Sequence, residues 1–343
     1  MMRDARVLVV DDSAAMRALF SDILDQARGV TVVGTARDAA DARKQIPELK
    51  PNVLTLDVEM PGMSGIEFLA EIMEEQPMPV VMLSSLTQSG AETSLKAFEL
   101  GAVECFPKPL RATPEQFNQI VADLGKIVLA AANSNVRDKP RPAAERGDIA
   151  PFNWNGRIVA IGASMGGIDA LTTLFAAYPA NCPPTVVALQ AEPALVQTFI
   201  AKLDRELPCD VAAASDGMAL EQGTIAIAFD PARHVVVESS DTLRLRLVDR
   251  ERVEGARPSA TLLFGTLARA GMPAAGVVLS GTGSDGSRGL KLMRDAGMAT
   301  LVQDPSTATV GEAPAAALAA GGADEAHTLD ALAGALLTAC AAA

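Results

Sequence analysis

Two adjacent carboxylates, Asp11 and Asp12, follow the apolar run Val7–Val10, and a third, Asp57, follows Val53–Leu56. Ser84 closes the run Val80–Leu83, and Lys108 comes just after Val103–Phe106. Three carboxylates held together repel one another unless a cation bridges them. An all-oxygen ligand set suits Mg²⁺, which takes one or two carboxylates and keeps waters and phosphate for the rest of its shell. A hydroxyl and an ammonium at the same edge would both suit a phosphoryl group. Pro109 follows Lys108, and a cis bond there would fix the direction of the lysine. Singly, each residue has a plainer reading: an Asp after a strand is often a helix cap, and Lys-Pro is often a loop. Five polar groups ending four apolar runs are harder to explain as caps.

A second constellation lies in the other half of the chain. Gly162-Ala163-Ser164-Met165-Gly166-Gly167 is a G-x-S-x-G pattern between a strand-like and a helix-like stretch. Such a turn exposes a serine oxygen, and the backbone N–H of Met165 at a helix start is a natural oxyanion donor. The alternatives are a phosphate- or anion-binding glycine turn, or simply a tight turn. A second glycine-rich turn, Ser280–Gly286, carries Asp285, which could orient a histidine or cap the helix that follows it, two compatible readings. A serine hydrolase also needs a base. The chain has two histidines, His234 and His327, and the strand end where one is wanted reads Leu189-Gln190-Ala191-Glu192-Pro193. Glu192, a carboxylate, is a poor match for a serine hydroxyl.

These residues need scaffolds to place them. In the first part, apolar runs at Val7–Val10, Val30–Gly34, Val53–Leu56, Val80–Leu83 and Val103–Phe106 alternate with helical patterns at Ala14–Ala27, Ala39–Glu48, Gly65–Glu75, Ala91–Leu100 and Pro114–Ala132. The alternation predicts an α/β fold with a five-stranded, doubly wound parallel sheet. The runs are apolar throughout, as in strands buried on both faces. Residues 133–152 are polar, contain proline and lack apolar period, so they read as a linker between a domain at 1–132 and another at 153–343. In the second domain, strands are expected at Ile158–Ile161, Thr185–Leu189, Ile225–Phe229, His234–Glu238 and Ala275–Leu279. A helix is expected to run through Ala177, with an alanine-rich helical tail from Ala313. That domain should be a larger, mostly parallel α/β fold of hydrolase type. Arg244, Arg246, Arg250, Arg252 and Arg257 read as a solvated hairpin face.

With 29 basic and 42 acidic residues, the net charge is −13. That repels phosphate backbones and argues against nucleic-acid binding. No apolar run approaches the ~18 residues of a membrane span, so no membrane insertion is expected. The four cysteines follow neither a disulfide nor a zinc spacing, and the N-terminus lacks a secretory pattern; a cytoplasmic home is expected.

VLVVDDS, LTLDVEMPGMSG, VVMLSS and CFPKP resemble a two-component response-regulator receiver domain over residues 5 to about 128. The resemblance implies that Asp57 is the phosphoacceptor and that a chemotaxis histidine kinase is the phosphodonor. It implies Mg²⁺ on Asp12, Asp57 and the Glu59 backbone carbonyl, assisted by Asp11, with Ser84 and Lys108 on the phosphoryl group and Phe106 as a switch aromatic. IGASMGG, the LQAEP…TFIAKLD stretch, ARPSATLLF and SGTGSDG resemble the catalytic domain of the chemotaxis protein-glutamate methylesterase family, CheB. There the triad is Ser, His, Asp. Ser164 matches the nucleophile and Asp285 the acid, but the histidine position falls on Ala191, which cannot accept a proton. Met165 stands for the usual Thr, and Thr282 for the Met of a Thr-Gly-Met-Gly turn linked to the oxyanion hole. Val310-Gly311-Glu312-Ala313-Pro314 stands where Phe-Gly-Met-Pro is usual. The implied activity is hydrolysis of glutamyl methyl esters and deamidation of glutamines on methyl-accepting chemoreceptors, under control of Asp57 phosphorylation and with no cofactor in the second domain. The alternative is a receptor- or kinase-binding phospho-adaptor that kept the fold and lost the base.

Overall fold

The computed structural model describes residues 3–84, 88–108, 114–136, 152–239 and 242–342. The chain forms two compact units, one before and one after residues 137–151, which lie outside the described residues. Asn133, at the start of the expected linker, is fastened to the first unit. Its side chain accepts from the Arg3 N–H at 2.8 Å and donates to the Arg3 carbonyl at 3.0 Å. At the other end, Phe152 exchanges two backbone–side-chain bonds with Asn181, both 2.8 Å.

The first unit alternates β1 (Ala5–Val10), α1 (Ala14–Asp25), β2 (Val30–Ala36), α2 (Ala39–Leu49), β3 (Val53–Asp57), α3 (Gly65–Glu75), β4 (Val80–Ser84), α4 (Gln88–Leu100), β5 (Glu104–Pro107) and α5 (Pro114–Ala132). The five strands are parallel, in the order β2-β1-β3-β4-β5. Val7, Leu8, Val9 and Val10 are all fully buried, as residues covered on both faces must be. Polar side chains start α1, α2 and α3. Ser13 caps α1 by accepting the Met16 N–H. Ser64 and Glu67 form a reciprocal capping box on α3, which satisfies two otherwise unpaired donors. The Lys108–Pro109 bond lies outside the described residues.

The second unit runs β6 (Ile158–Ala163), α6 (Gly167–Phe175), β7 (Thr185–Leu189), α7 (Pro193–Glu206), β8 (Asp210–Ala213), β9 (Thr224–Ala228), β10 (His234–Ser239), β11 (Leu243–Val248), α8 (Ala260–Ala270), β12 (Ala274–Val278), α9 (Ser287–Asp295), β13 (Ala299–Val302), α10 (Glu312–Ala319) and α11 (Leu329–Cys340). Six strands form a parallel sheet in the order β13-β12-β6-β7-β9-β8, and β10 pairs antiparallel with β11. Leu263, Phe264 and Leu267 of α8 pack with Ile158 of β6, Val186 of β7 and Val278 of β12 into one core. Arg244 and Arg246 are exposed on β11, whereas Arg250, Arg252 and Arg257 follow the hairpin rather than forming its face. The alanine-rich tail is helical, in two segments, α10 and α11. Gly321, at φ 74°, takes the left-handed conformation that ends α10, and a Cβ on Gly322 would sit 2.9 Å from the Ala317 carbonyl oxygen.

Candidate functional site

At the carboxyl edge of the first sheet, β1 delivers Asp11 and Asp12, and β3 ends on Asp57. Carboxylate oxygens from these three residues lie within 4.8 Å of one another. Asp11 and Asp57 are buried and Asp12 is exposed. From the β5 edge, the Lys108 ammonium reaches Asp57 Oδ1 at 2.7 Å and Asp11 Oδ2 at 2.9 Å. Asp57 Oδ1 also accepts the Glu59 N–H at 3.2 Å, and Asp11 Oδ1 accepts the Ser13 N–H at 2.9 Å. Ser84 ends β4 beside this cluster, in register with Pro107 on β5 and buried. Phe106, also buried, is opposite Leu83.

Burial pushes the Asp57 carboxyl up, and the nearby Asp11 charge adds to that; the Lys108 contact opposes both without cancelling them. Burial pulls on Lys108 in the opposite sense, but its bonds to two carboxylates outweigh that and hold the ammonium protonated. The lysine is thus the resident counter-charge of the cluster. Lys108→Met is expected to cost about 3 kcal/mol of stability at neutral pH, because removing one partner leaves buried charge uncompensated. The loss should shrink as the pH falls and a carboxylate takes up a proton. Thermal melts across pH 5 to 8 check this, and a pH-independent loss would contradict it.

One residue here escapes a reading of motifs. The Arg17 guanidinium donates from Nη1 to the backbone carbonyls of Asp11 at 2.7 Å and Asp12 at 3.0 Å. It braces the turn that aims both acids. Its signal in the sequence is only a basic residue one helical turn beyond Ser13.

In the second unit, β12, β6 and β7 are neighbours, so their carboxyl ends bring Ser280–Asp285, Ser164 and Gln190 to one edge. Two bonds lock the turn after β6: the Gly167 N–H to the Ser164 carbonyl at 2.7 Å and the Ser164 N–H to the Ser280 carbonyl at 3.1 Å. Gly166 has φ 73°, and a Cβ there would sit 2.6 Å from both Ser280 Oγ and Thr309 Cβ. Only glycine fits that backbone and that space. The Ser164 hydroxyl is partly exposed, and its Oγ accepts the Thr282 N–H at 3.1 Å. A Cβ on Gly281 would lie 2.5 Å from that oxygen. The donor on Ser164 Oγ is the Thr282 amide; the Met165 amide is expected to face a substrate oxyanion and not this hydroxyl. The Met165 carbonyl accepts from Ser280 Oγ at 2.8 Å.

Asp285 faces Ser164's edge but is fully engaged. Its Oδ1 accepts from Ser259 Oγ at 2.6 Å and the Thr261 N–H at 3.0 Å. Its Oδ2 accepts from the Ala260 N–H at 2.8 Å and from Gln190 Nε2 at 2.9 Å. It caps α8, which precedes it in the chain, and not α9, which follows. Gln190 takes up the acceptor that an imidazole would need. Ala191 is next to it and offers no polar atom beyond Cβ. Glu192 is turned to its own helix, accepting the Leu195 N–H at 2.9 Å.

Neither histidine hydrogen-bonds Ser164 among the described residues. His234 is fully buried. Its Nδ1 accepts the Ser259 N–H at 3.2 Å and its Nε2 lies 3.0 Å from the Glu251 carbonyl oxygen. The carbonyl can only accept, so Nε2 carries the proton and both ring nitrogens are committed. His327 lies on the β13 side, with Nε2 3.8 Å from Glu325 Oε1. Among the described residues the site thus joins a serine, an amide donor and a carboxylate, with no histidine on the serine.

Comparison with known proteins agrees with both halves. Residues 159–336 match the family described as CheB methylesterase, and residues 7–121 match the response regulator receiver domain. The protein-glutamate methylesterase/protein-glutamine glutaminase 1 of Caulobacter vibrioides is 45% identical over 324 residues, covering 93% of each chain. The protein of the same name from Rhizobium johnstonii is 44% identical over 314 residues, covering 90% of this chain and 89% of its own. The crystal structure of the Thermotoga maritima CheB methylesterase catalytic domain superposes with a TM-score of 0.51 at 24% identity, over 54% of this chain and 98% of that one, a likeness of fold. The chain belongs to the CheB family of chemotaxis response regulators, in which a receiver domain precedes a protein-glutamate methylesterase/glutaminase domain.

Proposed function

We propose that this chain binds the methylated or amidated glutamyl segments of chemoreceptors at the Ser164 edge and hydrolyses them slowly, with Ser164 as nucleophile. Phosphorylation of Asp57 by a chemotaxis histidine kinase controls that encounter. The observation that carries the reading is the Ser164 Oγ held at 3.1 Å by the Thr282 amide, on the turn that also carries Asp285, in a chain that aligns nearly end to end with the methylesterase/glutaminase relatives. A lost triad histidine costs on the order of 10⁶ in turnover, and an oxyanion site with substrate binding keeps roughly 10³–10⁴ over water. The committed nitrogens of His234 and the four donors on Asp285 also favour the second reading, a phospho-adaptor whose output is binding alone. The names of the relatives favour the first.

The acid cluster of the receiver fits a hard divalent cation: three carboxylates converge, one of them open to solvent. Asp12 and Asp57, with Asp11 and the Glu59 carbonyl, would hold Mg²⁺, whose charge offsets that of a phosphoryl group at the Asp57 carboxylate. This chain's own residues do the rest. Lys108 pairs with the phosphoryl oxygens, the Ser84 hydroxyl donates to them, and Phe106 repacks when Ser84 moves. The place of action is the cytoplasm; among the described residues no helix is long and apolar enough to cross a membrane.

The test is binding of the full chain to membranes carrying methylated chemoreceptor, with and without acetyl phosphate and Mg²⁺. The reading requires receptor-dependent binding that the phosphoryl donor changes. Binding that ignores both receptor and donor would defeat it.

A further inference from the structure

The glycine-rich turn after β12 presents two consecutive backbone amides. The Thr282 N–H points to Ser164 Oγ at 3.1 Å, and the Gly283 N–H points to a carboxylate, Glu312 Oε2, at 2.8 Å. Glu312 opens α10, and the two segments are stitched together: Gly281 N–H to Val310 carbonyl at 3.0 Å, and Ala313 N–H to Gly281 carbonyl at 2.9 Å. A Cβ built on Gly281 would lie 2.5 Å from Ser164 Oγ and 3.4 Å from Ala313 Cβ, so the start of α10 and the nucleophile flank one narrow space. Gly283, Glu312 and, in part, Thr282 are open to solvent. The amide next to the nucleophile's donor is therefore already occupied, and its occupant is a glutamyl γ-carboxylate supplied by the same chain.

We infer that Glu312 is a tethered analogue of the hydrolysis product: its carboxylate holds the Gly283 amide and competes with receptor glutamyl side chains for the Ser164 edge. This rests on the glutamyl-binding reading above. Hydrolysis of a glutamyl methyl ester leaves a free γ-carboxylate, the same group that Glu312 presents. An N–H···carboxylate bond is charge-assisted and stronger than a neutral one, so the built-in acid outcompetes a neutral ester carbonyl for that donor. Tethering also places it at an effective concentration on the order of millimolar. The departure at position 312 thus has a consequence for specificity: the chain is biased against the ester it would cleave and against free acidic peptides alike.

The test measures binding of two synthetic alanine-based helical peptides to the full chain by calorimetry. One peptide carries a single glutamate and the other its γ-methyl ester. Glu312→Ala is expected to bind both about tenfold more tightly than the native chain. Glu312→Gln, which keeps an acceptor oxygen but no charge, should gain less. The Gly283 amide proton should exchange faster in Glu312→Ala. If Glu312 merely staples the loop to α10, Glu312→Ala will melt lower without any gain in peptide affinity, and the inference fails while glutamyl binding stands. If neither peptide binds any of the three chains, the glutamyl-binding reading itself has failed and takes the inference with it.

Discussion

The double variant Gln190→Ala/Ala191→His is expected to release methanol from methylated chemoreceptor about 10²–10⁴-fold faster than the native chain, the usual contribution of a positioned general base. Ala191→His alone should fall well short of that. The reason is the occupancy of Asp285. A triad histidine needs one ring nitrogen on the serine hydroxyl and the other on the carboxylate. Asp285 Oδ1 is committed to Ser259 and Thr261 of the α8 cap, and Oδ2 is shared between the Ala260 amide and Gln190 Nε2. The three α8 donors belong to the scaffold. Gln190 is the only partner whose removal frees an acceptor without uncapping a helix. An imidazole at position 191 in the single variant would compete with the Gln190 amide for Oδ2 and sit in a mixture of orientations. Steady-state methanol release by the native chain, both single variants and the double variant checks this. Equal gains in Ala191→His and the double variant would show that Gln190 leaves Oδ2 freely. No gain in either would show that the serine is misplaced as well as unassisted.

Replacing Asp57 by asparagine is expected to have two effects of different kind. Phosphoryl uptake from acetyl phosphate should be lost outright, since the carboxylate is the proposed nucleophile and an amide oxygen is not one at neutral pH. The folded state should become more stable, and the gain should grow with pH. Asp57 binds its proton more tightly when folded, because burial and the Asp11 charge together outweigh the contact with Lys108. A carboxyl raised in this way lends the native state stability below its unfolded pKa, and that contribution is lost as the pH rises through the folded value. Asparagine has no such titration. The variant should therefore melt near the native chain at acidic pH and above it at neutral pH, while Lys108 keeps its second bond, to Asp11 Oδ2 at 2.9 Å. Intact-mass analysis after acetyl phosphate treatment and melting curves from pH 4 to 8 measure both. A labelled Asp57→Asn chain, or a variant that melts lower at every pH, would contradict the assignment.

The receiver half was readable because its determinants are local. The strand runs are largely apolar, α1, α2 and α3 carry side-chain caps within three residues, and the chemistry sits at strand ends whose convergence follows from parallel pairing. Gly65–Glu75 and Pro114–Ala132 stand where the pattern placed them. β5 begins at Glu104, one residue after its expected start. What escaped was contact across the chain. Asp285 is held by groups 24 to 95 residues away, so a motif showing an acid after a strand says nothing of which helix it caps. His234 is spent on Ser259 and Glu251, a pairing that depends on how residues 249–259 fold back past β10. Thr282 and Glu312 stand out in the sequence only as departures from the family pattern; their bonds, one from a backbone amide and the other to one, leave no side-chain signature. The alanine-rich tail is helical as its composition implies, and the glycine pair Gly321-Gly322 sets where its first helix ends.

The most direct test of the central claim is methanol release from methylated chemoreceptor by the purified full chain, activated with acetyl phosphate and Mg²⁺, against Ser164→Ala. A family scaffold with Ser164 in place and no base predicts release only slightly above the Ser164→Ala chain. Rapid release abolished by Ser164→Ala would contradict it, and would mean that a base other than His234 as placed here reaches the serine.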